Sequence, residues 1–392
     1  MEKFSAYREQ ASRYSQFLQA HAVANSISSM QPFLTPVPPL GSDLLAKATL
    51  PIRYPLAVIR TALVLVLALV YVLLVQGICL VFLPVASLYQ LFTHLFTFIL
   101  ARTALFILGF LWISPEQFNR KRGRGVKLAE TWNIKAGDII VSNWASWIEI
   151  LWLATQYNPT FVIPIVECLP ETPAASRTGT PISHKPGRRT GTGSANIQMA
   201  DRALVTRIPI AGFRQLSLLS MIAYTGGVPE LGGPSFALEE IRRSAKGPVV
   251  VFPECTTSNG RGLLRFADVF RTYVPAKGYQ VFIMSARFDP PTPTSPTLTH
   301  PIPSLTINPF SHLFSICTSI SPAELSIRLL APSESPSSPL FVASEILADY
   351  AGEDQLSETC ANLIAQMGKM KRTGMGWEDK CNFLQFYRGK SS

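Results

Sequence analysis

Between Thr61 and Leu83 the chain runs for 23 residues without a charge, and most of them are Leu or Val. A bilayer core of ~30 Å is crossed by about 20 apolar residues in a helix. This run is therefore long enough to span, and it restricts the chain more than any other feature. A second apolar stretch extends from about Val85 to Ile113, interrupted by Arg102 and holding Gln90 and His94. Pro84 separates the two, where a helix breaks or kinks. Arg53 and Arg60 precede the block; Arg120, Lys121, Arg122, Arg124 and Lys127 follow it. Positive flanks favour the cytosolic side. The pattern predicts an N-terminal hydrophobic membrane helix hairpin over 51–115 with both ends cytosolic, built as two spans or as an interfacial or re-entrant pair. Arg102 favours the interfacial arrangement for the second arm.

The rest of the composition agrees. The chain is 47% hydrophobic and 15% charged, against about 25% charged in a soluble domain. That excludes a disordered chain, which needs low hydrophobicity and dense charge. The net charge of +10 suits an anionic surface of headgroups or phosphates. Residues 51–130 and 131–288 carry +6 each and residues 289–392 carry −3. Nucleic acid is an unfavoured partner, since the basic residues flank apolar runs and no binding motif is present. The six cysteines are widely spaced, without CxxC or a neighbouring His. They read as reduced thiols, with no metal and no resident cofactor expected.

Residues 1–50 read as a tail and linker. Phe4, Tyr7, Ala11, Tyr14, Phe17 and Leu18 give the first 20 residues an amphipathic helical spacing, and residues 31–41 hold four prolines. Short strands then alternate with helices, which implies an α/β layered domain over 116–330. Its expected strands are 137–143, 160–166, 248–254, 281–288 and 325–330. Its expected helices are 146–156, 211–224 and 235–246. Residues 167–207 read as a flexible insertion, 289–304 as a loop with six prolines, and 331–339 as a second linker. Helices close the chain over 331–392, with Gly374 and Gly376 before the last.

Two segments have the form of a strand that ends in a polar turn, the place where α/β folds put ligand sites. In Val249–Phe266, VVVFPECTTSNGRGLLRF, a buried-type strand runs into Glu254. Thr256, Thr257, Ser258 and Asn259 then supply hydrogen-bonding groups, and Arg261 and Arg265 supply phosphate partners. In Val141–Leu151, VSNWASWIEIL, Asn143 or Ser146 is placed to cap a helix and Glu149 falls in its first turn.

Together the segments resemble the glycerophospholipid acyltransferases of the lysophosphatidate acyltransferase type. FPECTTSNGR is similar to that family's F-P-E-G-T-x-S block, and NWASWIE stands where the family has N-H-x-S-x-x-D. Order, spacing and the preceding apolar hairpin also fit. The ends MEKFSAYRE and GWEDKCNFLQFYRG resemble those of a divergent fungal branch. The resemblance implies acyl transfer from acyl-coenzyme A, as co-substrate, to a lysophospholipid hydroxyl, turning lysophosphatidate into phosphatidate at the endoplasmic reticulum or a lipid droplet. It makes Glu149, Ser146, Asn143 and Glu254 the catalytic set. Thr256, Thr257, Ser258, Asn259, Arg261 and Arg265 become the acceptor site. The middle motif would be Gly226-Gly227-Val228-Pro229.

The departures are chemical. The motif histidine is Trp144, whose indole cannot act as a base. The motif glycine is Cys255. The remaining base candidates are Glu149 itself or a distant histidine: His94, His184, His300 or His312. If none serves, the chain is a catalytically impaired lipid-binding or trafficking protein on the same scaffold.

Overall fold

The computed structural model describes residues 31–37, 48–120, 130–170, 207–271, 278–339, 341–347 and 352–389. The amphipathic helix expected over 1–20, the basic residues Lys121 to Lys127, and His184 with most of the insertion lie outside the described residues.

The apolar block forms two helices. The first, α1 (Leu50–Tyr71), starts with Pro51 in its opening turn, where no N–H partner is lost. It continues as a widened and then tightened helix to Phe82. The chain turns at Pro84 and returns as α2 (Ala86–Ile107). Both are long and apolar enough to cross a membrane. Arg102 does not interrupt α2. Its guanidinium folds back on the carbonyls of Phe110 and Leu111 at 3.2 and 2.6 Å, just past the helix end. Tyr89, in the first turn of α2, lies under the Lys246 ammonium at 4.8 Å. Leu105 and Leu108, in the last turn, are fully buried. The second arm therefore lies along the α/β body at both of its ends.

That body is built on an eight-stranded sheet. Its strands are β1 (Pro115–Phe118), β2 (Ile139–Ser142), β3 (Thr160–Val166), β4 (Ile210–Leu216), β5 (Glu230–Leu231), β6 (Val249–Val251), β8 (Val281–Phe288) and β9 (Leu325–Leu330), with β7 (Gly262–Leu263) outside it. The order is β1-β9-β8-β2-β6-β3-β4, with β5 also on β3. The central four, β8, β2, β6 and β3, are parallel.

Such strands are covered on both faces and read as continuous apolar runs. Alternate residues divide between two cores. Ile140, Val250, Phe282 and Met284 face α1, α2, α3 (Ile148–Tyr157), α4 (Leu218–Tyr224) and α6 (Phe310–Cys317). Ile139, Val141, Val249, Val251 and Ile283 face α5 (Leu238–Ser244) and α7 (Gln355–Gly368). A last helix, α8 (Trp377–Gly389), follows β10 (Lys371–Arg372), which pairs with β7.

One expected helix is corrected. Residues 211–224 split into the edge strand β4, antiparallel to β3, and α4. Ser217 makes the break, its Oγ accepting from the Ser220 N–H as an N-cap. The second linker is also more ordered than expected: Ser335 is buried and donates to the Val281 carbonyl.

Candidate functional site

β2 and β6 are neighbours in register, Val141 beside Val251. The two motif turns therefore leave the sheet side by side, at its carboxyl edge. Trp144 locks them together through its backbone. Its N–H donates to Glu254 Oε1 at 3.1 Å, and its carbonyl accepts from the Ser258 N–H at 2.9 Å. Glu254 Oε2 accepts from the Leu264 N–H. Its carboxyl is fully buried, and burial pushes its pKa up to about 8 against the pull of these N–H groups and of Lys380.

The first turn is held from inside. Glu149 Oε1 accepts the N–H groups of Ala145 and Ser146 at 2.7 and 3.3 Å. Its Oε2 is buried and has no hydrogen-bond partner among the described residues. Burial raises this carboxyl well above the usual carboxylate range, with Glu254 adding to the effect. Asn143 is a sheet clamp, with Nδ2 donating to the Ala286 carbonyl and Oδ1 accepting from the Ala286 N–H. Ser146 Oγ receives the Ile148 N–H at 3.4 Å. At its far end α3 stops on Asn158, in the left-handed region at φ 43°. The Trp144 indole is sealed in. It stacks on Phe252 at 4.9 Å and Tyr224 at 6.2 Å and donates to the Ser146 carbonyl.

The second turn keeps the backbone that a glycine would have given it. Cys255 sits at φ 58°, a left-handed conformation that costs an L-residue about 1–2 kcal/mol. Thr256 Oγ1 donates to the Gly227 carbonyl at 2.5 Å, so the 226–229 segment also reaches this place. Gly226 is needed there, since a Cβ would stand 2.8 Å from the Pro303 nitrogen. Thr257 Oγ1 donates to the His300 carbonyl. Asn259 gives its N–H and Nδ2 to the carbonyls of Pro32 and Leu34. Arg261 is exposed, whereas Arg265 pairs with buried Glu378 at 3.1 Å.

The structure thus gathers the expected catalytic and acceptor-site residues into one region, but many of the polar groups are spent on one another; of the histidine candidates, His94 lies on α2 and His184 outside the described residues. It also brings residues the motifs do not contain. Lys380, from α8, is fully buried and donates to the carbonyl and hydroxyl of Thr257. Burial holds its pKa well below the usual lysine value, and Glu254 pulls it back up.

His300 arrives from the loop after β8, its N–H on the Ala145 carbonyl at 2.8 Å. Its Nε2 meets Asn308 Oδ1 at 2.7 Å. Asn308 donates its own Nδ2 to the carbonyls of Ala223 and Thr225. Oδ1 is therefore the acceptor, and His300 Nε2 carries the proton. Nδ1 makes no hydrogen bond among the described residues. The ring stacks on His312 at 4.6 Å, whose Nδ1 accepts from the Trp147 indole. Burial lowers both rings, His300 to about 4 and His312 to about 3. Both are neutral at pH 7.

His300 had a sequence signal only as a candidate among four; Lys380 had none. Among the described residues no His, Cys, Asp and Glu cluster could hold a metal. No family model, curated protein or solved structure matches the chain.

Proposed function

We propose that the chain is a membrane-bound acyltransferase that moves an acyl group from acyl-coenzyme A to the free hydroxyl of a lysophospholipid, with lysophosphatidate as acceptor. The observation that carries this reading is the double backbone lock of Trp144 onto Glu254 and Ser258. It joins two segments about 105 residues apart in sequence at the carboxyl edge of a parallel sheet, beside an apolar hairpin.

In this reading His300 is the base, because Trp144 offers only an N–H donor. Asn308 fixes the Nε2–H tautomer and leaves Nδ1 to take the acceptor hydroxyl proton. The alkoxide oxygen attacks the thioester carbonyl, the C–S bond breaks, and the proton passes to the departing coenzyme A thiolate. Glu149 and Glu254 position the two turns from within, and Asn143 ties the first of them to β8. Exposed Arg261 is the cation for the acceptor phosphate, since Arg265 is paired with Glu378. The cytosolic face of the endoplasmic reticulum or of a lipid droplet is the proposed location.

One observation favours a second reading, lipid binding without turnover. The place of the motif histidine is filled by an indole packed between Phe252 and Tyr224.

Purified protein in detergent, given labelled acyl-coenzyme A and lysophosphatidate, separates the two. The enzyme reading expects phosphatidate, and a loss of about 10²-fold in His300→Gln, the low end of a general base's worth because a ring held near pKa 4 accepts a proton weakly at pH 7. Product no higher than in a Glu254→Ala control sinks it. Turnover gained only in Trp144→His would establish the second reading.

A further inference from the structure

The loop between β8 and β9 contains a feature that the site does not use. From Pro290 to Ala323 the chain runs 34 residues with no Asp, Glu, Lys or Arg. At 15% charged residues overall, a solvated stretch of that length carries about five. Within it Leu305 is 66% exposed, Ile307 70% and Phe310 41%. Large aliphatic side chains gathered at one exposed tip mark a contact surface.

The tip is a built loop. Asn308 Oδ1 accepts the Ser304 N–H, Ser304 and Ser311 join through their hydroxyls at 2.7 Å, and Asn308 Nδ2 fastens the base to the end of α4. Three residues, 305–307, stand out from this cinched base. Ile307, Phe310 and Phe314 follow at helical spacing, and the Phe314 ring meets Tyr54 of α1 at 6.5 Å. Arg53 and Arg60 bind the same end of α1 to the carbonyls of Thr318 and Ser319. The exposed stripe is thus continuous with the outer apolar face of the hairpin, where Ile52, Val58, Ile59 and Val66 are also exposed.

We propose that Leu305, Ile307 and Phe310 form a second lipid-contacting element, immersed in the same phospholipid bilayer surface that receives the hairpin. A bilayer is the occupant that fits both the continuity with the hairpin and the absence of charged residues along the 290–323 stretch. The inference rests on membrane association of the hairpin and not on acyl transfer. It places the bilayer surface next to Asn308, and so within one side chain of His300.

The test uses the full chain in phosphatidylcholine vesicles, with the exposed Cys168 changed to Ser; the other five cysteines are buried. An environment-sensitive fluorophore is attached in turn to Ile307→Cys, to Leu305→Cys as a second variant, to Val66→Cys on the hairpin, and to Glu353→Cys at a remote exposed position. The 307 and 305 labels should match the 66 label: quenched by lipid-borne nitroxide, and several-fold less quenched by aqueous iodide than the 353 label. A tip label quenched like 353 overturns the proposal. So does one shielded from both quenchers, which would mean a protein partner or a second copy. If the 66 label is itself aqueous, membrane association of the hairpin fails. If 66 is in lipid and the tip is not, only the present proposal fails.

Discussion

Lys380 and Glu254 are two fully buried titratable residues in the motif region. Burial drives each toward its neutral form while each draws the other toward charge. No ion pair joins them among the described residues: Lys380 Nζ is held by Thr257 and Glu254 by the N–H groups of Trp144 and Leu264, so each feels the other through space. Leaving the buried Thr257 carbonyl without its donor costs about 1–3 kcal/mol, and Lys380→Met should destabilise the fold by that order. The double variant Lys380→Met, Glu254→Gln tests the coupling: its loss in denaturant unfolding in detergent should differ from the sum of the single losses by about 0.5 kcal/mol or more. Strictly additive losses would mean the two do not interact. His312 allows a pH prediction. Its folded pKa of about 3 lies below an unfolded value of about 6.5. Its contribution is full above pH 6.5 and is lost as pH falls toward 3, because only the unfolded chain takes up the proton. His300, at about 4, acts with the same sign. Glu149, Glu254, Glu378 and Asp354 are raised and act with the opposite sign. The wild-type slope is thus a net effect, and a comparison isolates His312. Between pH 7.5 and 5.0, His312→Gln should lose less Tm than wild type, since it removes the titrating ring while Gln can still accept from Trp147 and donate to the Thr297 carbonyl that His312 Nε2 meets at 3.0 Å. Parallel losses would show that His312 is not held neutral.

Legibility at the scale of elements followed the environment of each element. The strands over 160–166 and 281–288 were readable to their ends, because largely apolar runs match burial on both faces; the strand over 325–330 alternates instead, with Ser326 exposed and Arg328 half-buried between buried residues. The edge strand β4 was not readable. Its apolar residues, interleaved with Gly212, Arg214 and Gln215, fit a helical spacing as well as an alternating one. Only pairing with β3 decides between them. At the site, the turns after β2 and β6 were legible from their polar residues, but the partners that consume those residues were not. The arginines of the hairpin show the same limit. Arg53 and Arg60, expected as topology signals, also act as fasteners, placing cations at the carboxyl end of α6 where its dipole favours them. The double change Arg53→Gln, Arg60→Gln should loosen that joint. Amide exchange over Phe310–Cys317 should quicken by roughly tenfold, about 1.4 kcal/mol of local opening. The central strands should stay protected. Unchanged exchange over 310–317 would show that the arginines carry no weight there.

Across the whole molecule, residues 31–37 and α8 close over the motif turns, a relation that no local pattern in either segment announces. Residues 31–37 lie across the second turn, taking both Asn259 donors on the carbonyls of Pro32 and Leu34. Phe33 is fully buried and stacks on Phe383 of α8 at 5.9 Å, in a small core with Leu264, Met375 and Leu384. The same helix sends Lys380 to Thr257. Amino-terminal strap, motif turn and carboxyl-terminal helix therefore form one unit, although they are far apart in sequence. This makes the stability of α8 depend on a residue some 350 positions away. Phe33→Ala should cost roughly 3 kcal/mol, the lower range for losing a buried aromatic, and Phe383→Ala should cost about the same. Because the rings touch, the double variant should cost less than the sum by about 0.5–1.5 kcal/mol. Hydrogen exchange gives the decisive reading. Phe33→Ala should speed amide exchange throughout Trp377–Gly389 and at Thr257, while α7, which packs on β8 and β9, keeps its wild-type protection. Exchange that quickened only near residue 33 would show that the two ends fold independently, and that the strap is no part of the site.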